Sequence, residues 1–177
     1  LTHDIKADVL VIGGGIAGAL TTYFLAKEGA NVVTVEKNII GFGNTIADTA
    51  ALEYQLESEM SKLEKSIGRK DATRIYKLCL DSISKIENIN KEFKAPTGFL
   101  RQDNIYFTNK FMQRGAVAKE FDKRKDSGFD AVYIDSHSLV NLNSGIVTKN
   151  ASAIMNPYSF TQGLFEYLDT MDNVKIF

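Results

Sequence analysis

Hydrophobic positions at the start of the chain follow a strand, helix, strand pattern. Residues 7–12, ADVLVI, form a stretch rich in β-branched and leucine side chains, which is typical of a central parallel strand buried on both faces. After three glycines, apolar residues recur at helical spacing over 16–25, and Gly29 is placed to end that helix. A second β-branched run occupies residues 31–37. The pattern therefore predicts a βαβ unit.

The remaining pattern predicts helices and short strands in an α/β order. A loop rich in glycine, asparagine and threonine follows residue 37, and then two helices, 50–67 and 71–93, separated by Gly68. Residues 98–109 predict a hairpin with its turn at Gln102-Asp103-Asn104, where asparagine would tolerate a positive φ. The later predicted elements are a helix at 113–125 ended by Gly128, a strand at 131–134, a short helix at 136–142, a strand at 152–155, a helix at 158–171 led by Pro157, and a strand at 174–177.

Several reactive or charged side chains have a structural interpretation. Cys79 lies on the apolar stripe of the second long helix, so a buried small hydrophobe is favoured over a nucleophile. His3 and His137 lack the partner pattern of a metal or triad site. For Arg101, in the predicted hairpin, carboxylate recognition is no better than an even choice, because one arginine alone lacks the neighbouring residues of such a site. The apolar stripe is predicted at Ile75, Leu78, Cys79, Ser82, Ile83 and Ile86.

The helix at 113–125 has a locally basic face with acidic residues interleaved, a pattern typical of a solvated helix surface. Its charged residues are Lys119, Glu120, Asp122, Lys123, Arg124, Lys125 and the adjoining Asp126.

The glycines after the first strand carry the most specific chemical signal. Gly13, Gly15 and Gly18 fit G-x-G-x-x-G between a strand and a helix, and Glu36 ends the second strand. In such a loop the first glycine permits a tight turn, the second admits a pyrophosphate, and the third allows close helix–strand packing. The helix N-terminus offers free N–H groups to the diphosphate, and Glu36 can accept hydrogen bonds from a ribose diol. The coincidence of a buried-type strand, the glycine triplet, a helix and an acid at the right distance favours dinucleotide binding over structural glycines alone. Because Glu36 would repel the 2′-phosphate of NADP, the pattern favours FAD or NAD.

Composition narrows the function by exclusion. The 177 residues include 21 basic and 22 acidic side chains, so the formal net charge of −1 argues against a dedicated nucleic-acid or polyanion binder. One cysteine excludes an internal disulfide framework or a multi-cysteine zinc site, and makes the cytoplasm the default location. The sequence contains neither a signal-peptide progression nor an apolar run long enough to span a bilayer.

The chain resembles the FAD-dependent oxidoreductases of the D-amino acid oxidase-like family, which includes glycine and sarcosine oxidases and FAD-linked glycerol 3-phosphate dehydrogenases. A nicotinamide-binding domain would normally continue with another helix and a third buried strand, whereas this chain has a polar loop and two long helices. The matching segments are ADVLVIGGGIAGALTTYFLAKEGANVVTVEK, GFGNTIADTAAL, GFLRQDNIYF and NPYSFTQGLFEYL.

The resemblance implies FAD as cofactor and a set of residues that hold it. In that family the loop after the acidic residue lies along the FAD diphosphate, and its hydroxyls and amides contact the cofactor. The alternative for this loop is that Asp48 or Thr49 caps a helix starting at Ala50. The predicted cofactor residues are Gly13, Gly15, Ile16, Ala17, Gly18, Glu36, Lys37, Gly43, Asn44, Thr45, Thr49 and Ala50.

The resemblance also implies a Rossmann-like FAD domain with part of an α+β substrate domain. Residues 1–95 are then the start of the FAD-binding domain, 96–150 part of the substrate domain, and 151–177 a segment returning to the FAD domain. Related enzymes are about twice as long, so we expect an N-terminal fragment, inactive alone, although a stand-alone dinucleotide-binding half remains open.

The implied reaction is oxidation of a small amine, amino acid or hydroxy compound by hydride transfer to flavin. The alternatives are an NAD-dependent dehydrogenase or reductase and a non-catalytic half that binds the ADP moiety. No catalytic residue or metal ligand is assigned. We expect a small-molecule substrate, no nucleic acid and no membrane span. An unpaired edge of the first sheet would favour a homo-oligomer or a partner.

Overall fold

A computed structural model of the protein describes residues 4–136 and 142–177, and within them the chain divides into two compact units. Among these residues the first unit contains 4–50, 88–99 and 155–177, and the second contains 51–87, 100–136 and 142–154. The α/β fold class is confirmed. The strands are β1 (Val9–Ile12), β2 (Val32–Val35), β3 (Ala51–Glu53), β4 (Leu100–Thr108), β5 (Ala131–Ile134), β6 (Ser144–Ile154) and β7 (Val174–Ile176). The helices are α1 (Ile16–Lys27), α2 (Met60–Ile67), α3 (Arg69–Glu92), α4 (Arg114–Asp126) and α5 (Pro157–Leu168), with 3₁₀ turns at Asn44–Ala47 and Phe111–Gln113.

The first unit is built on the predicted βαβ segment. Its three strands are parallel in the order β1-β2-β7, so β2 is central and β1 lies at an edge. Helices α1 and α5 pack together, and Gly163 is needed in α5 because a Cβ there would lie 2.3 Å from Ala95 Cβ. Asn156 caps α5 by accepting a hydrogen bond from Ser159 N at 3.0 Å, with Pro157 in the first turn as predicted.

The prediction that the first strand is buried on both faces is wrong. Val11 is buried, but Leu10 is 56% exposed and Ile12 is 82% exposed. Side chains alternate along a strand, so Leu10 and Ile12 lie on the face opposite Val11. In addition, β1 is an edge strand and has a neighbouring strand on one side only among the residues that the structure describes. The apolar run is therefore evidence for a strand and does not locate it within a sheet.

The second unit contains an antiparallel sheet centred on β6. Strand β4 pairs along one side of β6, while β3 and β5 share its other side. Helix α4 packs on one face, where Val117, Ala131 and Ile146 form a buried cluster. The strand predicted at 152–155 is the end of the longer β6.

Residues 50–67 do not form one helix, as the sequence predicts, because their first part is a strand. Ala51–Glu53 pairs with Ser152–Ile154, and the helix spans only Met60–Ile67. Ala50 has a φ of +66°, which a helix excludes. Tyr54 is buried, and its hydroxyl lies 2.8 Å from Thr148 Oγ1. Pairing with a strand about a hundred residues away overrides the local periodicity.

The predicted hairpin at 98–109 is also wrong, because this segment is the single strand β4. The polar triplet Gln102-Asp103-Asn104 marks an irregularity in the register with β6, and Asn104 does not adopt a positive φ. Asp103 accepts hydrogen bonds from Lys149 Nζ at 2.7 Å and Asn150 N at 2.9 Å, so its polarity serves the neighbouring strand.

Helices α3 and α4 lie close to the predicted bounds, but their buried faces differ from the predictions. On α3 the buried residues include Ala72, Tyr76, Ile83 and Ile89, whereas Leu78 and Ser82 are exposed and Cys79 is half-buried. On α4 the solvated interpretation is wrong at two charged positions, Glu120 and Arg124, which are fully buried and paired at 3.0 Å. The predicted helix at 136–142 lies mostly outside the described residues, as do His3 and His137.

Candidate functional site: the cleft at the glycine loop

The glycine loop adopts a conformation that its residue types require. Gly13 has a φ of +115°, and its N–H donates to Val35 O at 2.8 Å, which joins the start of the loop to the end of β2. A Cβ on Gly18 would lie 1.9 Å from Gly13 O, so only glycine lets α1 approach the loop this closely. The predicted structural roles of the first and third glycines are thus confirmed.

Glu36 closes one side of the loop. Its carboxylate accepts hydrogen bonds from Gly14 N at 2.7 Å and from Asn38 N at 2.9 Å. These backbone donors, Gly14 first, hold the pKa of the Glu36 carboxyl below its usual value. Glu36 is therefore ionised at neutral pH and accepts hydrogen bonds only.

Thr45 reaches the N-terminus of α1 from the 3₁₀ turn. Its hydroxyl accepts a hydrogen bond from Ile16 N at 3.1 Å, and the side chain is buried. A Cβ on Gly15 would lie 3.1 Å from the same hydroxyl oxygen, so a larger residue there would press on Thr45. Ile16 is the first residue of α1, so its N–H has no acceptor within the helix, and Thr45 Oγ1 stands where an anion would be bound.

These groups border an open cleft of about 430 Å³ within the first unit. Of the predicted cofactor residues, Gly15, Ile16, Ala17, Glu36, Lys37, Gly43, Asn44 and Thr45 line it. Gly13 and Gly18 do not line the cleft but shape the loop, and Thr49 and Ala50 lie outside it. Sequence reasoning missed the lining residues Asn38, Ile39, Gly41, Phe42 and Asp48. A signal was present in Phe42, an aromatic residue between two glycines, which is 59% exposed.

Helix α5 supports the loop that forms the cleft wall. Gln162 Nε2 donates to Ile40 O at 2.5 Å, and the Phe42 and Tyr158 rings meet edge to face at 6.5 Å. Gly41 has a φ of +75° and passes so close to Tyr158 that a Cβ would lie 3.0 Å from its ring. The late proline-led helix therefore positions a loop more than a hundred residues earlier in the chain.

The helix-capping alternative for Asp48 and Thr49 is wrong, because no helix starts at Ala50. Asp48 Oδ1 accepts a hydrogen bond from Ala50 N at 3.0 Å and so stabilises the turn that leads into β3. Arg101 also has a structural partner, since its Nε donates to Glu87 at 2.9 Å. Among residues 4–136 and 142–177, no group of three His, Cys, Asp or Glu could hold a metal ion. No helix in the same ranges is long and apolar enough to cross a membrane.

The chain is similar in sequence or in fold to several known proteins. The chain is 32% identical over 108 residues to the Bacillus subtilis protein named "Putative Rieske 2Fe-2S iron-sulfur protein YhfW", a match that covers 61% of this chain and 21% of that one. It is 47% identical over 47 residues to the sarcosine oxidase subunit beta of Rhizobium meliloti, covering 25% and 11%. The L-amino acid deaminase of Proteus myxofaciens has the same fold, with a TM-score of 0.74 at 19% identity, and the match covers 99% of this chain and 38% of that one. The chain thus spans well under half the length of these proteins.

The family model for FAD dependent oxidoreductases, DAO, matches residues 8–177. This match runs from the start of β1 to the last residue and includes the glycine loop, Glu36 and the cleft. The chain belongs to the DAO family of FAD-dependent oxidoreductases.

Proposed function

We propose that this chain holds the ADP half of FAD in an oxidoreductase that acts on a small amine, amino acid or hydroxy compound. The observation that carries the proposal is the cleft itself, in which the N-terminus of α1, the glycine loop and an ionised Glu36 meet on one wall. A helix N-terminus attracts a diphosphate, and a carboxylate at the end of the second strand accepts hydrogen bonds from a ribose diol.

The residues present fit this cofactor half. The backbone of Gly13 occupies the space that a Cβ on Gly18 would fill, so the glycine loop packs directly against the N-terminal turns of α1. This is the close helix–strand packing expected of a dinucleotide-binding loop. Gly15, Ile16 and Ala17 supply the helix-end amides, and the hydrogen bond from Ile16 N to Thr45 Oγ1 shows that this amide can donate to an oxygen in the cleft. Lys37, Gly43 and Asn44 line the same cleft, and we include Gly13, Thr49 and Ala50 as residues that shape the loop.

FAD when bound supplies the redox chemistry, because its flavin ring takes up the hydride removed from the substrate. This chain's own residues bind and orient the ADP half. The substrate class rests on the relatives, whose names describe enzymes of sarcosine and of L-amino acids. The alternative cofactor is NAD, which shares the diphosphate and ribose groups that the cleft can bind.

Purified full-length protein is expected to carry flavin absorbance or to take up added FAD, to prefer FAD over NAD, and to show competition by ADP for the same half of the site. The measurement is equilibrium binding of FAD in the presence of increasing NAD or ADP. Full-length protein that neither contains flavin nor binds added FAD would reject the proposed function, and preferential NAD binding would support the dehydrogenase alternative.

Glu36→Arg and Gly15→Val are each expected to weaken FAD binding in the full-length protein by about tenfold to a hundredfold, equivalent to about 1.4–2.8 kcal/mol. Arginine replaces the acceptor for the ribose diol with a donor-only group, and valine presses on Thr45 and fills space at the helix end. The measurement is FAD affinity beside the thermal unfolding midpoint of the same samples.

Glu36→Gln is the graded control, since it removes the charge but keeps one carbonyl oxygen for Gly14 N or Asn38 N. We expect its FAD affinity to lie between those of the wild type and Glu36→Arg. Unchanged affinity in both Glu36→Arg and Gly15→Val would reduce the glycine motif to a packing device.

A further inference from the structure

The balanced net charge of the chain conceals two oppositely charged units. The second unit contains 15 Lys or Arg and 13 Asp or Glu, whereas the first contains 6 and 9. The second unit therefore carries a net positive charge.

Part of this positive charge surrounds a second cleft, of about 350 Å³, between α2, β4 and α4. Lys62, Lys65 and Lys119 line it together with a single acidic residue, Glu59. Lys62 Nζ lies 2.5 Å from Glu59 Oε2 and holds the pKa of that carboxyl below its usual value, so these two charges cancel. Lys65 and Lys119 make no ion pair among the residues that the structure describes, and the cleft carries an excess of two positive charges.

An apolar tip adjoins this cleft. Phe111 is 72% exposed and Met112 is 96% exposed in the 3₁₀ turn at the start of α4, and the next residue, Gln113, lines the cleft. Lys110 precedes the tip, and the Arg114 guanidinium lies 5.5 Å from the Phe111 ring centre. The charge of Arg114 is paired with Asp135, so Lys110 is the unpaired cation beside the tip among the residues that the structure describes. Two adjacent large apolar side chains in water differ from the isolated exposed apolar residues that are common on protein surfaces.

We propose that this end of the second unit docks on a lipid surface rich in anionic headgroups. Lys65 and Lys119 would hold lipid phosphates in the cleft, while Phe111 and Met112 insert among the acyl chains. Cations near a membrane are attracted by its negative surface potential, and apolar side chains at the same level add binding that salt does not screen.

The combination of charge and apolar surface favours a lipid over the other occupants. A soluble phosphate ester would use the lysines but leave Phe111 and Met112 exposed. A second copy docked on the same patch by two-fold symmetry would bring the unpaired lysines of both copies together and so repel it. An anionic bilayer satisfies both features at once.

The test is co-sedimentation of the full-length protein with vesicles of phosphatidylcholine alone or of phosphatidylcholine with phosphatidylglycerol. We expect binding only to the anionic vesicles, and an affinity that falls about tenfold in Lys65→Gln/Lys119→Gln and also in Phe111→Ser/Met112→Ser. Lys70→Gln/Lys77→Gln and Leu78→Ser are the matched controls, because they change exposed residues of α3 that do not line the cleft. These controls are expected to bind like the wild type.

Three results would overturn the proposal. The first is equal binding to neutral and anionic vesicles, or none to either. The second is binding that depends on the lysines alone and is displaced by soluble glycerol phosphate, which would indicate a free phosphate ester. The third is a loss of self-association in Phe111→Ser/Met112→Ser, measured by sedimentation velocity, which would indicate a second copy. Circular dichroism of each variant checks that the fold is retained.

Discussion

Replacing Gly18 with alanine is expected to destabilise the protein by about 3 kcal/mol or more, the largest effect of any single methyl group in the first unit. The new Cβ would lie 1.9 Å from Gly13 O and 3.1 Å from Gly13 C. Neither atom belongs to a flexible side chain, and Gly13 already holds a φ of +115°. Relief requires α1 to move away from the loop, which would open the packing between helix and strand and the cleft at its end.

The measurement is the free energy of unfolding from urea titration. Gly115→Ala is the matched control, since Gly115 lies in the first turn of α4 and an added Cβ there meets no atom within 4 Å. Alanine favours a helix over glycine, so this control is expected to stabilise the protein by up to about 1 kcal/mol. A Gly18→Ala variant as stable as the wild type would show that the loop can yield and that glycine is not required there.

Arg124→Met is expected to cost about 3–5 kcal/mol of stability, because it would leave Glu120 as an unpaired buried charge. The guanidinium donates from Nε to Glu120 Oε1 at 3.0 Å, from Nη1 to the Tyr54 hydroxyl at 2.9 Å and from Nη2 to Gln55 Oε1 at 3.0 Å. Its carbon Cζ also lies 5.1 Å from the centre of the Tyr106 ring. Methionine keeps the unbranched apolar stem of the side chain but is shorter than arginine and supplies none of these donors.

Glu120, whose charge is paired with Arg124, also caps another helix. Its carboxylate accepts hydrogen bonds from the first backbone N–H groups of α2, Met60 N at 2.9 Å and Ser61 N at 2.8 Å. We therefore expect the Arg124→Met variant to lose helical content as well as stability, which circular dichroism and urea titration would measure together.

Two variants control for charge and geometry at this position. Arg124→Lys keeps the charge but cannot reach all three acceptors, so it should be intermediate. Arg114→Met removes a comparable pair with the exposed Asp135 and should change stability by less than about 1 kcal/mol. If Arg124→Met were no more harmful than Arg114→Met, the buried pair would have no structural role.

The elements that sequence alone could predict are those whose signal lies within the element or its immediate turn. The first βαβ unit, α3, α4, α5 and β5 each show their own periodicity. In addition, α1 and α4 are followed by a glycine and α5 begins with a proline. The same holds for the wall of the cleft around the glycine loop and Glu36, where the required backbone conformation demands particular residue types. The resemblance of these segments to a family likewise rests on contiguous residues.

Tertiary structure decided what depends on residues far apart in the chain. Residues 51–53 are a strand only because β6 lies beside them, and the polar triplet in β4 is a register irregularity because Lys149 and Asn150 face it. The sequence predicts Glu120 and Arg124 as solvated charges, but contacts with α2 and Tyr54 bury them in the folded protein. In the cleft, the contacts by which Tyr158 and Gln162 of α5 support the loop around Phe42 have no local signature. Local pattern determines which conformation a segment prefers, whereas burial and pairing are set by partners whose distance along the chain no periodicity records.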